Sequence, residues 1–211
     1  AGDTVDPADA DAAPFDMTAL VPDISGPLTL GHPAHCDILR RKAIDDGATF
    51  LRGVTVQKMT FGVQPSVDYN WDGAEHTATA RIIVGADGRG SRVREGAGIP
   101  LHRDTPHHLF AGMLVEGADG WPDDRQAIGT EDDVNFLVFP QGNGRVRLYL
   151  SYPREQATRL TGDKGQQAFL DAFRVESAPL AKHLADATPS GPCASYPNED
   201  AWTDEPFAQG C

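Results

Sequence analysis

Three cysteines in 211 residues, Cys36, Cys193 and Cys211, are too few and too widely spaced for a disulfide framework. No C-x-x-C pair occurs, which argues against a zinc ribbon and against a dithiol redox motif. Positive charge is also scarce. Eighteen Lys and Arg stand against 31 Asp and Glu, a formal net charge of −13. Binding to nucleic acid or to an anionic membrane surface draws on clustered Lys and Arg, so neither partner is expected. That balance still allows a local basic pocket, and Arg89, Arg92 and Arg94 are close enough in sequence to form one. No apolar run approaches the roughly 20 residues that cross a bilayer. The start, Ala1 to Asp6, is acidic and has no positive segment of a secretory signal. The expectation is a cytoplasmic protein with reduced thiols. Nor does the chain contain G-x-G-x-x-G, the lysine of a phosphate-binding P-loop, or the G-x-S-x-G of a nucleophile elbow.

What is present is ordinary for a globular chain: 40% apolar and 23% charged residues, enough for one good core or two small ones. Residues 1–25 hold six Asp and no Lys or Arg, which reads as an acidic arm or solvated loop. Gly26 to Gly31 reads as a short strand between turns. His32 to Asp46 reads as a helix with Cys36, Leu39 and Ala43 on one face and Gly47 as its stop. Ala48 to Phe61 has strand composition. Val67, Tyr69 and Trp71 alternate before Asp72-Gly73, and Ala78, Ala80, Ile82 and Val84 alternate after it, a hairpin pattern. Leu109 to Val115 is an apolar run. Val134 to Phe139 and Val146 to Tyr152 flank the turn sequence Gln141-Gly142-Asn143-Gly144 and predict an antiparallel pair. Asp163 to Ala185 is the longest helical candidate, with Phe169, Phe173 and Leu180 on a stripe and Pro179 set to end or kink it. From Pro189 onward the chain reads as irregular. This order predicts an α+β fold rather than regular βαβ alternation.

The most informative stretch is Arg81-Ile82-Ile83-Val84-Gly85-Ala86-Asp87-Gly88-Arg89-Gly90-Ser91-Arg92-Val93-Arg94. An apolar run ends in a turn of small residues, where backbone can approach a ligand closely. If a helix follows, its first N–H groups face the same place, and an anion is the expected guest. On the residues alone, a purely structural turn is an equal alternative.

Val84 to Arg94, with its preceding hairpin, resembles the Asp-Gly motif of FAD-dependent monooxygenases of the aromatic hydroxylase type, G-A-D-G-x-x-S-x-V-R, and matches every fixed position. Ala97-Gly98-Ile99 fits as well. The resemblance spans most of residues 28–210. It implies an antiparallel substrate-binding sheet with covering helices, plus a partial FAD-binding layer of the glutathione-reductase-like kind with a β-meander. The implied division is an acidic arm (1–25), a partial FAD-binding domain (26–100), a substrate-binding sheet and helix (101–190), and a return segment (191–211).

Carried onto this sequence, the resemblance puts Gly85, Ala86, Asp87, Gly88 and Arg89 near the FAD pyrophosphate and the nicotinamide co-substrate, NADH or NADPH. Ser91 and Arg94 hold the turn and supply polar contacts. His32 stands where many members have an arginine that touches the flavin. The family's N-terminal dinucleotide-binding βαβ and its later Gly-Asp flavin motif have no counterpart in residues 1–211. The expectation is therefore a middle portion of such an enzyme, binding FAD weakly or not at all when alone and inactive by itself. The implied activity uses FAD, NAD(P)H and oxygen to hydroxylate or epoxidise an apolar or aromatic small molecule. Halogenase and reductase variants of the same fold, a non-catalytic binding module, and a structural turn in an unrelated α+β domain stay open. Among candidate substrate contacts are His108, Phe136, Phe139 and Tyr149, with ordinary core packing as the alternative reading of the aromatics. His32, His35, His102, His107 and His108 have no carboxylate or cysteine at a metal-ligand offset, so no metal is expected. No catalytic acid, base or nucleophile is evident, as befits a family whose cofactor carries the oxygen chemistry. No oligomeric state follows from the sequence.

Overall fold

The computed structural model describes Asp23, residues 29–178 and residues 180–211. The acidic arm apart from Asp23, residues 26–28 of the expected first strand, and Pro179 lie outside the described residues. In chain order the elements are α1 (His32–Asp45), β1 (Thr55–Thr60), β2 (Ser66–Trp71), β3 (Ala74–Thr79), α2 (Arg92–Gly96), β4 (His102–Arg103), β5 (His108–Glu116), β6 (Ala127–Glu131), β7 (Val134–Gly142), β8 (Arg145–Pro153), a 3-10 turn (Arg154–Gln156), α3 (Gly165–Asp171), α4 (Lys182–Ala185), β9 (Thr188–Pro189), β10 (Ala194–Asn198) and β11 (Ala201–Trp202). The architecture is α+β with antiparallel sheets, as the sequence predicts.

The chain divides into two compact units. One comprises Ala1–His35 with Pro106–Glu199, and the other Cys36–Thr105 with Asp200–Cys211. The divisions fall at 35/36, 105/106 and 199/200, and β10 is hydrogen-bonded into the same sheet as β5.

In the second unit, β1, β2 and β3 form an antiparallel meander. Asp72 (φ 50°) and Gly73 (φ 75°) both take left-handed backbone, the two-residue turn whose twist suits a hairpin. The hairpin's second arm ends at Thr79, five residues before the sequence pattern stops. Residues 80–84 have no strand partner among the described residues; Ala80 N–H donates to the Pro65 carbonyl at 3.0 Å and Ile83 N–H to the Gly210 carbonyl at 2.9 Å. The Gly62 N–H likewise donates to the Gln209 carbonyl at 2.8 Å. β11 pairs with β4, matching Ala201 to Arg103 and Trp202 to His102, and Asp104 N–H donates to the Asp200 carbonyl at 3.0 Å. The tail expected to be irregular thus contains three strands, because its backbone groups find partners on β5 and β4.

Helix α1 ends where predicted: Gly47 takes φ 98°, and Gly47 and Ala48 donate to the carbonyls of Ile44 and Ala43. It buries no residue, and Ile38 and Leu39 are 60% and 57% exposed.

In the first unit, the sheet runs in the order β10-β5-β8-β7-β6, with β9 beside one end of β5. β7 and β8 pair across Asn143 (φ 56°) and Gly144 (φ 66°), confirming the predicted antiparallel pair. Alternation then divides the side chains between two faces. Ala111, Met113 and Val115 of β5, Val134, Phe136 and Val138 of β7, and Val146, Leu148, Leu150 and Tyr152 of β8 are buried on one face. That face is covered by Phe169, Leu170, Phe173, Leu184 and Ala185. The single long helix expected over 163–185 is instead two short helices, α3 and α4, separated by turns from Ala172. Phe173 still reaches the core, with its ring 5.4 Å from Phe169 and 6.4 Å from Phe136. Glu131 accepts from the N–H groups of Glu176 and Ser177 at 3.0 and 2.8 Å, which ties this inter-helix segment to β6.

Candidate functional site

The Asp-Gly segment begins with a close approach. A Cβ on Gly85 would lie 2.8 Å from both Cβ and Cγ1 of Val93, so only glycine lets the chain pass there. Gly88 is glycine for a different reason, a φ of 81° that L side chains rarely adopt. Between them, Asp87 folds forward onto the start of α2. Its Oδ2 accepts from Arg92 N–H at 2.7 Å and Val93 N–H at 3.2 Å, and its Oδ1 accepts from the Ser91 hydroxyl. The Ser91 oxygen in turn accepts from Arg94 N–H at 3.0 Å. Arg94 directs its guanidinium inward, donating from Nη1 to the Ile99 carbonyl at 2.7 Å.

Those bonds revise the expectation for the helix amides. The N–H groups of Arg92, Val93 and Arg94 are satisfied by Asp87 and Ser91, and so do not face outward toward an anion. The Ser91 hydroxyl is the main cause holding the Asp87 carboxyl below the ordinary aspartate value; desolvation opposes it, and backbone amides, among them those of Val93 and Arg92, add to the lowering. What stays open is the bend itself. Residues 84–90 are exposed, and the space where a Cβ would stand on Gly88 or Gly90 is empty to 4 Å. The bend, clasped from behind by Asp87, therefore has room beside its backbone at Gly88 and Gly90. His32, the first residue of α1, is exposed.

In the other unit, the face of the sheet turned away from the core carries a row of rings. Tyr196 of β10 lies 5.7 Å from Phe110 of β5, Phe110 lies 5.2 Å from Tyr149 of β8, and Tyr149 lies 6.0 Å from Phe139 of β7. Arg147 sets its guanidinium 5.0 Å above the Tyr149 ring. The row depends on Gly112, directly opposite Tyr149. A Cβ there would stand 2.7 Å from the Tyr149 ring and 2.9 Å from Arg147 Nη2. His108 shares this face by register, at the far end of β5 and exposed. Phe136 does not share it. Three residues from Phe139 on an alternating strand, it points the other way and is buried against Phe173. Tyr152 is also on the core side, and its hydroxyl donates to Ser195 Oγ at 3.2 Å.

Phe110, Gly112, Tyr196 and Arg147 were not evident as candidates from the sequence. Arg147 is recoverable in hindsight from Arg145-Val146-Arg147-Leu148-Tyr149-Leu150, where polar or amphipathic residues alternate with core aliphatics. Phe110 is hidden in a run apolar on both faces. No group of His, Cys, Asp and Glu able to hold a metal ion is present among the described residues, and no helix among them is long and apolar enough to cross a membrane.

The sequence profile of a family described as "FAD binding domain" matches residues 24–187. Aklavinone 12-hydroxylase DnrF of Streptomyces peucetius is 29% identical over 139 residues, which cover 57% of this chain and 28% of DnrF. The chain thus spans under a third of the length of that curated relative. Among solved structures, the myxobacterial chondrochloren halogenase CndH, an FAD-dependent halogenase, superposes with a TM-score of 0.72 at 21% identity, covering 87% of this chain and 44% of CndH. CabE, an aromatic hydroxylase from angucycline biosynthesis, superposes with a TM-score of 0.58 at 22% identity, covering 82% of this chain and 34% of CabE. The match to more than half of the sequence, with an antiparallel fold shared with these structures, leads to one assignment: the chain belongs to the FAD binding domain family.

Proposed function

We propose that this chain supplies the substrate sheet and one wall of the cofactor site of a flavin-dependent monooxygenase that oxygenates a planar, mainly aromatic small molecule. The observation that carries the reading is the ring row Tyr196, Phe110, Tyr149 and Phe139, on the face of the sheet opposite the core. Rings in offset or tilted contact make a flat apolar floor, and such floors favour stacked aromatic ligands. DnrF, whose name gives aklavinone as its substrate, and CabE, described as an aromatic hydroxylase, agree with that chemistry.

FAD supplies the oxygen activation when bound, with NADH or NADPH as the source of electrons. The chain's own residues bind and exclude water. Gly88 and Gly90 leave backbone bare for the cofactor, Asp87 and Ser91 fix that backbone, and the rings orient the substrate. His108 lies at the edge of the same floor.

The test uses the protein as its gene encodes it. Purified enzyme is expected to carry FAD and to oxidise NADPH or NADH in the presence of aklavinone or a related polycyclic phenol, yielding a product heavier by one oxygen atom. Tyr149→Ala is expected to raise KM for the aromatic substrate about tenfold or more while leaving flavin content intact. Absence of flavin, or substrate-independent behaviour of Tyr149→Ala, would remove the reading. A halogenase is the second reading, favoured by the superposition on CndH. A chloride- or bromide-dependent product in the same assay selects it.

A further inference from the structure

We propose that Arg147 is a specificity-determining residue that recognises an oxyanion, a carboxylate or ionised phenol, on a planar aromatic ligand lying across Tyr149 and Phe139. The inference rests on the aromatic floor of the proposed function and adds a charge requirement to it.

Arg147 is half-buried near the start of β8, flanked by Leu114 on β5 and Phe139 on β7. Its direct cross-strand neighbours are apolar or aromatic, and the contacts described for it are the Tyr149 ring under the guanidinium and an electrostatic interaction with the Cys193 thiol. No carboxylate or carbonyl is paired with it among the described residues. The contrast with Arg145, two residues back on the same face, is sharp: Arg145 has Glu116 at 3.4 Å. In a chain with 31 acidic side chains, an unmatched guanidinium at the centre of a sheet is the exception to explain.

Holding a cation partly out of water without an anion is costly, and one ring face offsets only part of that cost. The stacking has a second consequence. A guanidinium laid flat over Tyr149 keeps its N–H fork in its own plane, available to a carboxylate or phenolate approaching from the side. Gly112 makes this possible, since a larger residue would collide with the Tyr149 ring and Arg147 Nη2 together. The same glycine that lets the floor lie flat therefore also seats the charge. A ligand that stacks on the rings and offers an anionic edge satisfies both features, whereas a neutral polycycle satisfies one.

The experiment compares 2-naphthoate with its uncharged methyl ester by isothermal titration calorimetry against the protein as its gene encodes it. Wild type is expected to bind the anion about tenfold or more tighter than the ester, the order of a charge-assisted hydrogen bond pair. Arg147→Met is expected to erase that preference and leave ester affinity within about twofold, with circular dichroism and melting temperature showing a folded variant. Arg147→Gln gives the same comparison if the methionine variant does not fold. Persistence of the preference in Arg147→Met overturns the inference and leaves the aromatic floor standing. Equal wild-type binding of both compounds does the same. Failure of both to bind wild type overturns the inference together with the floor.

Discussion

Gly112 and Tyr149 stand directly opposite each other on β5 and β8, and a Cβ on residue 112 would lie 2.7 Å from Cε1 of the tyrosine ring. Substituting alanine forces the ring off the sheet. Gly112→Ala is expected to cost about 1–3 kcal/mol, the range for overpacking a fitted site. Pairing it with Tyr149→Ala should recover most of that loss, because the clash needs both partners. Urea denaturation of the two single variants and the double variant measures this. Simple additivity would show that the ring does not rest on Gly112.

Acid tests the clasp behind the Asp-Gly bend. The Ser91 hydroxyl and two backbone amides hold the Asp87 carboxyl below its ordinary value in the folded state. Such a group adds stability that is fully present above the unfolded value and drains away as pH falls through the lower folded value. Asp87→Asn is therefore expected to melt at a lower temperature than wild type near pH 6. The two curves should converge as pH drops below about 4, where the unfolded aspartate protonates. A gap that stays constant down to pH 3 would mean that the ionised carboxylate contributes nothing there.

Gly85 and Gly88 should respond differently to the same substitution. Gly88→Ala is expected to cost about 1–2 kcal/mol from its left-handed backbone, and Gly88→Asn less, since asparagine tolerates that region. Gly85→Ala fails by collision with Val93 and should be partly rescued by Val93→Ala. Thermal melts of these variants separate the two causes.

Phe136 and Phe139 offer a third contrast. Phe136→Ala empties space in a closed core beside Phe173 and is expected to cost about 3–5 kcal/mol. Phe139→Ala removes one ring of the open row and should cost much less stability while weakening naphthyl ligands several-fold. Equal stability losses would place both rings in one packed environment.

Much of the fold was legible because alternation and turn chemistry agree. Asp72-Gly73 and Asn143-Gly144 name their hairpins, and the β7–β8 pair lies where the pattern puts it. Misreadings arose where local signals were weak or tertiary partners decided. The strand pattern of residues 80–84 has no neighbouring strand to complete it among the described residues. Thr188–Pro189, Ala194–Asn198 and Ala201–Trp202 become strands because β5 and β4 offer free edges, which no local propensity records. The 163–185 stripe correctly marks Phe169 and Phe173 as inward but conceals a break after Asp171. At the Asp-Gly bend the motif was visible, yet the use of the carboxylate was not. Sequence cannot tell whether an aspartate faces a ligand or caps the helix behind it. On the sheet, treating Phe136 with Phe139 overlooked the three-residue step between them, which a period of two sends to opposite faces.

The short ribbon of β4 and β11 has an architectural meaning. The chain leaves one unit at Thr105 and re-enters it at Asp200, and these two crossings run side by side, with His108 and Asn198 paired immediately beyond them. Residues 106–199 are therefore entered and left through paired strands, whereas residues 1–35 join the same unit by a separate passage at His35–Cys36.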